Sequence, residues 1–183
     1  MLDLQFTGET RQHKDTKEWQ FRGKENELYD LLNRQARYTL FFDGAAKGNP
    51  GLAGAGGVIK NKEGRIVTKF AWGLGQTTSI QAEALALLRG IKQEKASAIS
   101  YVNIIGDSQS IIKVLLEDSS PADIRLARVI SRIKILVKSF HMENFLHALR
   151  GNNKDADLEA NRAVTLPAGS LLKDGMEEWD SIP

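Results

Sequence analysis

The sequence has no cysteine, which excludes disulfide bridges and cysteine-based zinc sites. It has no apolar run near the ~20 residues that a membrane-spanning helix needs. Its N-terminus carries no signal-peptide core, so a non-secreted, intracellular protein is expected, with nucleus, cytoplasm and organelle not distinguished. It also lacks a marked excess of one charge: 25 Lys and Arg stand against 23 Asp and Glu, a formal net charge of +2. That balance does not by itself point to nucleic acid, although it leaves room for a local basic face. No internal repeat or low-complexity tract is present. What remains is ordinary for a globular chain, 42% hydrophobic and 26% charged over 183 residues. That is enough for one domain with a core, plus extensions.

The chain divides into three parts. Residues 1–37 are polar and of mixed charge, without a sustained apolar period, and read as an N-terminal extension. Only ENELYDLLNRQA suggests a short helix there, with Leu28, Leu31 and Leu32 at helical spacing. From residue 38 to 164 the pattern is regular. YTLFFD, AGGVIKN and RIVTKFAWG read as strands, the last two joined by a tight turn at KEG. IQAEALALLRGIKQ reads as a helix with Ser79 as a cap. SYVNIIGD is a buried strand and SQSIIKVLLE a helix. SSPADIRLARVISRIKILVKSF is a long amphipathic helix opened by a cap and a proline. MENFLHALR is a last strand and NNKDADLEANRAV a last helix. The tail, 165–183, with its glycines and the acids Glu177, Glu178 and Asp180, is expected to be poorly ordered. The order predicts an α/β fold: a five-stranded mixed sheet, three antiparallel strands plus two parallel ones, flanked by helices.

Within that order four acids stand in suggestive places. Asp43 ends the first strand of the regular region, and the glycine-rich KGNPG follows shortly. Asp107 ends the fourth strand, where ligands gather in open α/β sheets. Glu83 lies early in a helix among Ala82, Ala84 and Leu85. Asp157 lies early in the last helix. Each has a plain structural alternative: an Asx-turn for Asp43, a helix cap for Asp107, a favourable charge near a helix start for Glu83 and Asp157. If all four converge, their repulsion must be offset by cations. Oxygen-only ligands favour Mg²⁺ or Mn²⁺.

Four blocks in this order, FFDGAAKGNPGLAGAGGVI, TTSIQAEALAL, IIGDSQSII and HALRGNNKDADLEAN, resemble the sequence blocks of the type 1 ribonuclease H family. The wording of the first and last is most similar to the domains of plant retroelements and plant reverse-transcriptase-like proteins. The resemblance covers residues 38–164 and implies the ribonuclease H-like fold. It implies an endonuclease that hydrolyses the RNA strand of an RNA/DNA hybrid with two Mg²⁺ ions, Mn²⁺ being a substitute, and leaves 5′-phosphate and 3′-hydroxyl ends. By the resemblance, Asp43 bridges the two ions, Asp157 helps hold the one on the attacking side, and Glu83 and Asp107 hold the one on the leaving side. It implies that Gly48 and Asn49, Thr78 and Gln109 touch the hybrid. For Asn49 and Gln109 an ordinary turn or cap role stands beside that reading. A helper at the last step falls to His147 or to Arg150. The chain is expected to act as a monomer or as a domain of a larger reverse-transcriptase polyprotein.

The chain departs from the family pattern at three points. Ile80 stands where many members have an Asn that grips the minor groove. No basic protrusion follows the third acid, so grip on the DNA strand falls to Lys47, Arg89, Lys113 or the N-terminal segment. His147 falls within a predicted strand. The competing expectation is a catalytically silent nucleic-acid-binding module of the same fold; the presence of all four acids argues against it.

Overall fold

The computed structural model describes residues 4–6, 18–21 and 38–183, except 98, 100, 117–119, 140–141 and 149. The helix expected over ENELYDLLNRQA lies outside the described residues. Among them, strands β1 (Leu4–Phe6) and β2 (Glu18–Phe21) come first. A meander of β3 (Tyr38–Gly48), β4 (Gly51–Asn61) and β5 (Ile66–Thr77) follows. Then come α1 (Ser79–Ala96), β6 (Tyr101–Gly106), α2 (Gln109–Leu116), α3 (Ile124–Val137) and β7 (Met142–Ala148). A 3-10 turn at Arg150–Asn152 leads into α4 (Lys154–Ala163), and β8 (Ser170–Lys173) and β9 (Met176–Trp179) close the chain. No helix among the described residues is long and apolar enough to cross a membrane.

The expected centre of the sheet is present. β3, β4 and β5 pair antiparallel, β6 lies parallel to β3, and β7 parallel to β6. The expectation of five strands is corrected. The described strands form one nine-stranded sheet in the order β1-β2-β7-β6-β3-β4-β5-β8-β9. The two outer strands of a five-stranded centre would present unpaired backbone groups. Here β2 pairs with β7 and carries β1, while β8 pairs with β5 and carries β9.

The tail is corrected with it. Residues 170–179 form a hairpin rather than a disordered end. Its two-residue loop is Asp174-Gly175, with φ of 50° and 82°. Positive φ at both loop positions matches the right-handed twist of the strands, which is why Asp-Gly favours this turn. Its Leu171 is buried. The Asp174 carboxylate accepts from the Thr68 hydroxyl and the Lys69 amide, both at 2.8 Å.

The helices begin where side-chain oxygens reach the first free amides. Thr78, not Ser79, caps α1 and accepts from the Gln81 amide at 3.3 Å. Asp123, rather than the Ser-Pro at 120–121, caps α3 and accepts from the Leu126 amide at 2.9 Å. Helix α1 is apolar through ALALL and buried on nearly every side, since it lies between the sheet and α3. Its Leu85, Leu87, Leu88 and Ile91 join Leu40, Phe42, Ile59, Phe70, Trp72 and Ile104 in the core.

Candidate active site

The site is built on β3. Asp43 does not end that strand, as its position before Gly-Ala-Ala suggested. The ladder continues past it to Gly48, which pairs with Gly51 across the turn. Small residues let β3 and β4 run on as a tight ribbon with little side-chain bulk. Gly48, at φ 102°, takes a conformation that other residues rarely adopt.

Successive residues of a strand face opposite sides of the sheet, so Asp43 and Gly44 recruit different helices. Gly44 meets α1: a Cβ there would lie 2.3 Å from the Glu83 amide nitrogen. Only glycine lets the helix backbone approach so closely, and that approach sets Glu83 beside Asp43. Asp43 pairs with Gly56 on β4. A Cβ on Gly56 would lie 2.1 Å from the Ala160 amide nitrogen, and one on Gly54 2.5 Å from that of Val164. These two glycines seat α4 on the Asp43 side of the sheet and bring Asp157 in. Asn153, buried at the start of α4, donates its amide to the Phe42 carbonyl at 2.9 Å. Ion pairs between Lys60 and Asp155 and between Lys69 and Glu159 (3.5 Å) hold α4 along its length.

Asp107 arrives through the parallel ladder. Phe41 and Ile105 are the last paired residues of β3 and β6, and two positions further on come Asp43 and Asp107. Between them the Phe42 ring fills the space over Gly106. Capping of α2 falls to Ser108, whose hydroxyl accepts from the Ile111 amide at 3.4 Å. The cap reading for Asp107 is thereby replaced.

Ligand oxygens of Asp43, Glu83 and Asp107 lie within 4.8 Å of one another. Asp157 shares a side-chain hydrogen bond with Asp43. The structure thus brings all four acids together. The electrostatics follow from the crowding. Burial is the main cause that drives the Asp43 carboxyl up to about 8, and the neighbouring Asp107 and Asp157 add to it; the Gly44 amide, donating to Oδ1 at 2.9 Å, pulls the other way. Glu83 is also raised, chiefly by burial and further by Asp107, against a hydrogen bond from Ser108. Burial and crowding of this kind favour the protonated form of a carboxyl unless a cation offsets the charge. The donors are all oxygen, which suits a hard divalent ion.

The remaining expected residues fall into two groups. Gly48 and Asn49 sit at the hairpin tip, and the Asn49 side-chain oxygen accepts from the Ser79 amide at 3.2 Å, beside the cap Thr78. The β3–β4 tip and the start of α1 therefore form one unit, and Ile80 next to it packs against the core. Gln109 is exposed at the first position of α2. His147 lies on β7, with Nε2 3.0 Å from the Asp107 carbonyl oxygen. The side chain of Arg150 is outside the described residues. Arg89 is corrected as a gripping residue: it is buried, paired with Asp180 at 3.6 Å, and donates to Gln93 at 3.1 Å. Lys47 and Lys113 are exposed. Two contributors went unread in the sequence, Ser108 and Asn153. The signal for both was a small polar residue adjoining a helix start near an acid.

A mixed sheet with a carboxylate cluster where β3 and β6 run side by side defines an α/β protein with a ribonuclease H-like centre. The family described as reverse transcriptase-like matches residues 41–163. Ribonuclease HI of Halobacterium salinarum is 34% identical over 134 residues, which are 72% of this chain and 66% of that protein. A protein of Arabidopsis thaliana provisionally named as a ribonuclease H is 32% identical over 143 residues, 73% of this chain and 22% of its own length. The chain therefore spans less than two thirds of these curated relatives. Among solved structures, RNase H1 of the same halophilic archaeon superposes with a TM-score of 0.65 at 32% identity, over 70% of this chain and 97% of that one. LC11-RNase H1, solved in complex with an RNA/DNA hybrid, shares the fold with a TM-score of 0.63 at 24% identity, over 69% of this chain and 96% of its own. The chain belongs to the reverse transcriptase-like family and has the type 1 ribonuclease H fold.

Proposed function

We propose that this protein is an endonuclease that hydrolyses the RNA strand of RNA/DNA hybrids and leaves 5′-phosphate and 3′-hydroxyl ends. The observation that carries this reading is the convergence of Asp43, Glu83, Asp107 and Asp157 from four separate elements, with burial pushing the Asp43 and Glu83 carboxyls upward. Those four residues would hold the divalent ions, Mg²⁺ or Mn²⁺. When bound, a pair of such ions stabilises charge on both the attacking and the leaving oxygen of an in-line displacement at phosphate. Asp43 hydrogen-bonds Asp157 and lies beside Glu83 and Asp107, so it would be the carboxylate available to both ions. Gly48, Asn49 and Thr78 at the tip–helix unit, and Gln109 at the start of α2, are the residues assigned to the hybrid. A wide, shallow minor groove lined with 2′-hydroxyls is the feature by which such a surface recognises the RNA strand. Lys47 and Lys113 remain for phosphate contacts. Arg150, whose guanidinium is always charged and suits a phosphate, is assigned as the helper of turnover. The unit acts as a monomer or as a domain of a longer reverse-transcriptase polypeptide.

The test is cleavage of labelled duplexes with Mg²⁺. An RNA/DNA hybrid should be cut in its RNA strand, while single-stranded RNA, double-stranded RNA and double-stranded DNA stay intact. Chelation should stop the reaction. Equal cutting of double-stranded DNA, or no cutting of the hybrid, overturns the reading.

A pH dependence follows from the Asp43 carboxyl at about 8. Ion binding must displace its proton, so affinity for Mg²⁺ should rise with pH up to about that value. At low Mg²⁺ the rate should therefore fall as pH drops below 8. Raising Mg²⁺ should move that acid limb to lower pH, because the metal competes with the proton. A limb that stays in place across a hundredfold range of Mg²⁺ argues against this competition.

A further inference from the structure

We propose that His147 is a positioning residue that fixes the direction of the Asp107 carboxylate by holding its backbone carbonyl. The inference rests on the reading of Asp107 as a ligand of the divalent ions. The β6–β7 ladder ends where Gly106 faces His147. Asp107 is the next residue, so its carbonyl lies just beyond the last backbone pair. The His147 Nε2 stands 3.0 Å from that oxygen. A carbonyl oxygen only accepts, so Nε2 carries the hydrogen and donates it. The imidazole thereby continues the ladder by one peptide with a side chain in place of backbone.

The restraint matters because of its neighbours. On the other side, Phe42 packs over Gly106. Ser108 is held by its bonds into α2, where its hydroxyl accepts from Ile111 and its carbonyl from Ile112. The Asp107 peptide is the link between the strand end and the helix start, and its rotation would swing the carboxylate relative to Asp43 and Glu83. Groups that orient a metal ligand in this way typically cost about 10–100-fold in metal affinity or activity when removed. His147 also lies within a strand, half-buried. That place suits a fixed strut rather than a swinging proton carrier.

The experiment measures Mn²⁺ binding to the full chain without nucleic acid, by calorimetry or by the loss of the free-ion paramagnetic signal. His147→Ala should weaken binding about tenfold. His147→Gln, which keeps a donor at a similar reach, should stay within about threefold of the parent, while His147→Met, of similar size and without a donor, should behave like the alanine variant. With hybrid, KM should change little, and the loss in kcat should recover as Mg²⁺ rises. Should the alanine variant fail to fold, the Gln and Met pair decides. Parental affinity in His147→Met overturns the inference and leaves the proposed nuclease standing, as does a kcat loss in His147→Ala that saturating Mg²⁺ leaves uncorrected. Equal loss in Gln and Met variants that melt like the parent refutes the donor role. A parent chain that binds no Mn²⁺ at millimolar concentration overturns the metal site itself, and this inference with it.

Discussion

Asp43→Asn is expected to abolish cleavage and, at the same time, to raise the melting temperature of the metal-free protein. The two effects share one cause. Asp43 is 5% exposed and faces Asp107 and Asp157. Its carboxyl titrates at about 8 in the folded chain against an ordinary 3.8. Between those values the folded state keeps a proton that the unfolded state releases. Metal-free stability therefore falls as pH rises from about 4 to about 8, and above 8 the folded state carries the full burden of the repelling carboxylates. At pH 7 the cost of keeping that proton is on the order of 4 kcal/mol. Asparagine needs no proton. Its amide keeps an acceptor for the Gly44 N–H and offers a donor to Asp157. The expected gain is roughly 8–16 °C in Tm at pH 7–8 for a chain of this size, shrinking toward zero near pH 4. Mg²⁺ should raise the Tm of the parent by mass action and leave the variant nearly unchanged. Cleavage should fall by roughly a thousandfold or more, the loss of several kcal/mol of transition-state stabilisation. Thermal melts across pH, with and without Mg²⁺, and a hybrid cleavage assay check both parts. A large drop in Tm would instead make Asp43 a structural residue.

Removal of residues 166–183 is expected to damage stability severely, although these residues lie outside the stretch that matches the family. Leu171 is 1% exposed and pairs opposite Trp72, which is fully buried. The Trp72 indole N–H donates to the Asp180 carbonyl at 3.0 Å, and the Gly169 amide to the Gly73 carbonyl at 2.9 Å. Arg89, whose guanidinium burial disfavours its charge, keeps Asp180 as an opposite charge. Without the hairpin the Trp72 N–H loses its acceptor, Arg89 loses Asp180, and the edge of β5 is exposed. Partner removal of this kind is among the most costly changes in a fold. The deletion should lower Tm by well over 10 °C or yield insoluble protein. Leu171→Ala isolates the packing part and should cost about 2–4 kcal/mol, or roughly 4–16 °C. Both are read by thermal melts. A deletion variant that melts within about 2 °C of the parent would restore the expectation of a loose tail.

Much of the centre was legible because short-range chemistry decides it. Aromatic and aliphatic content marked the strands of the centre, and apolar residues at helical spacing in IQAEALALLRGIKQ marked α1. The four acids could be picked out because each stands beside a strong local boundary or inside an otherwise apolar segment. The tail was misread for a local reason as well. Lys-Asp-Gly-Met is a hairpin signal, but the surrounding Gly, Pro and acids made the stretch look like a polar end. β2 escaped notice because EWQF is too short for alternation to stand out; only the exposed edge of β7 gives it a place.

The sequence by itself determined the element types of the centre, the presence of four acids in segments rich in strand or helix formers, and the hard-oxygen character of any ion they hold. Periodicity, propensity and donor chemistry act within a few residues of the chain. The tertiary structure alone decided that the four acids meet. That outcome depends on the parallel register that lays Asp107 alongside Asp43, and on Gly44, Gly54 and Gly56, whose missing side chains let two helices touch the strands. It also decided that Arg89 serves the tail rather than a substrate, and that His147 reaches the Asp107 carbonyl. Such contacts join residues from about 40 to more than 100 positions apart, and no local preference records them. They exist only because packing the core leaves one arrangement in which strands, helices and buried polar groups are all satisfied together.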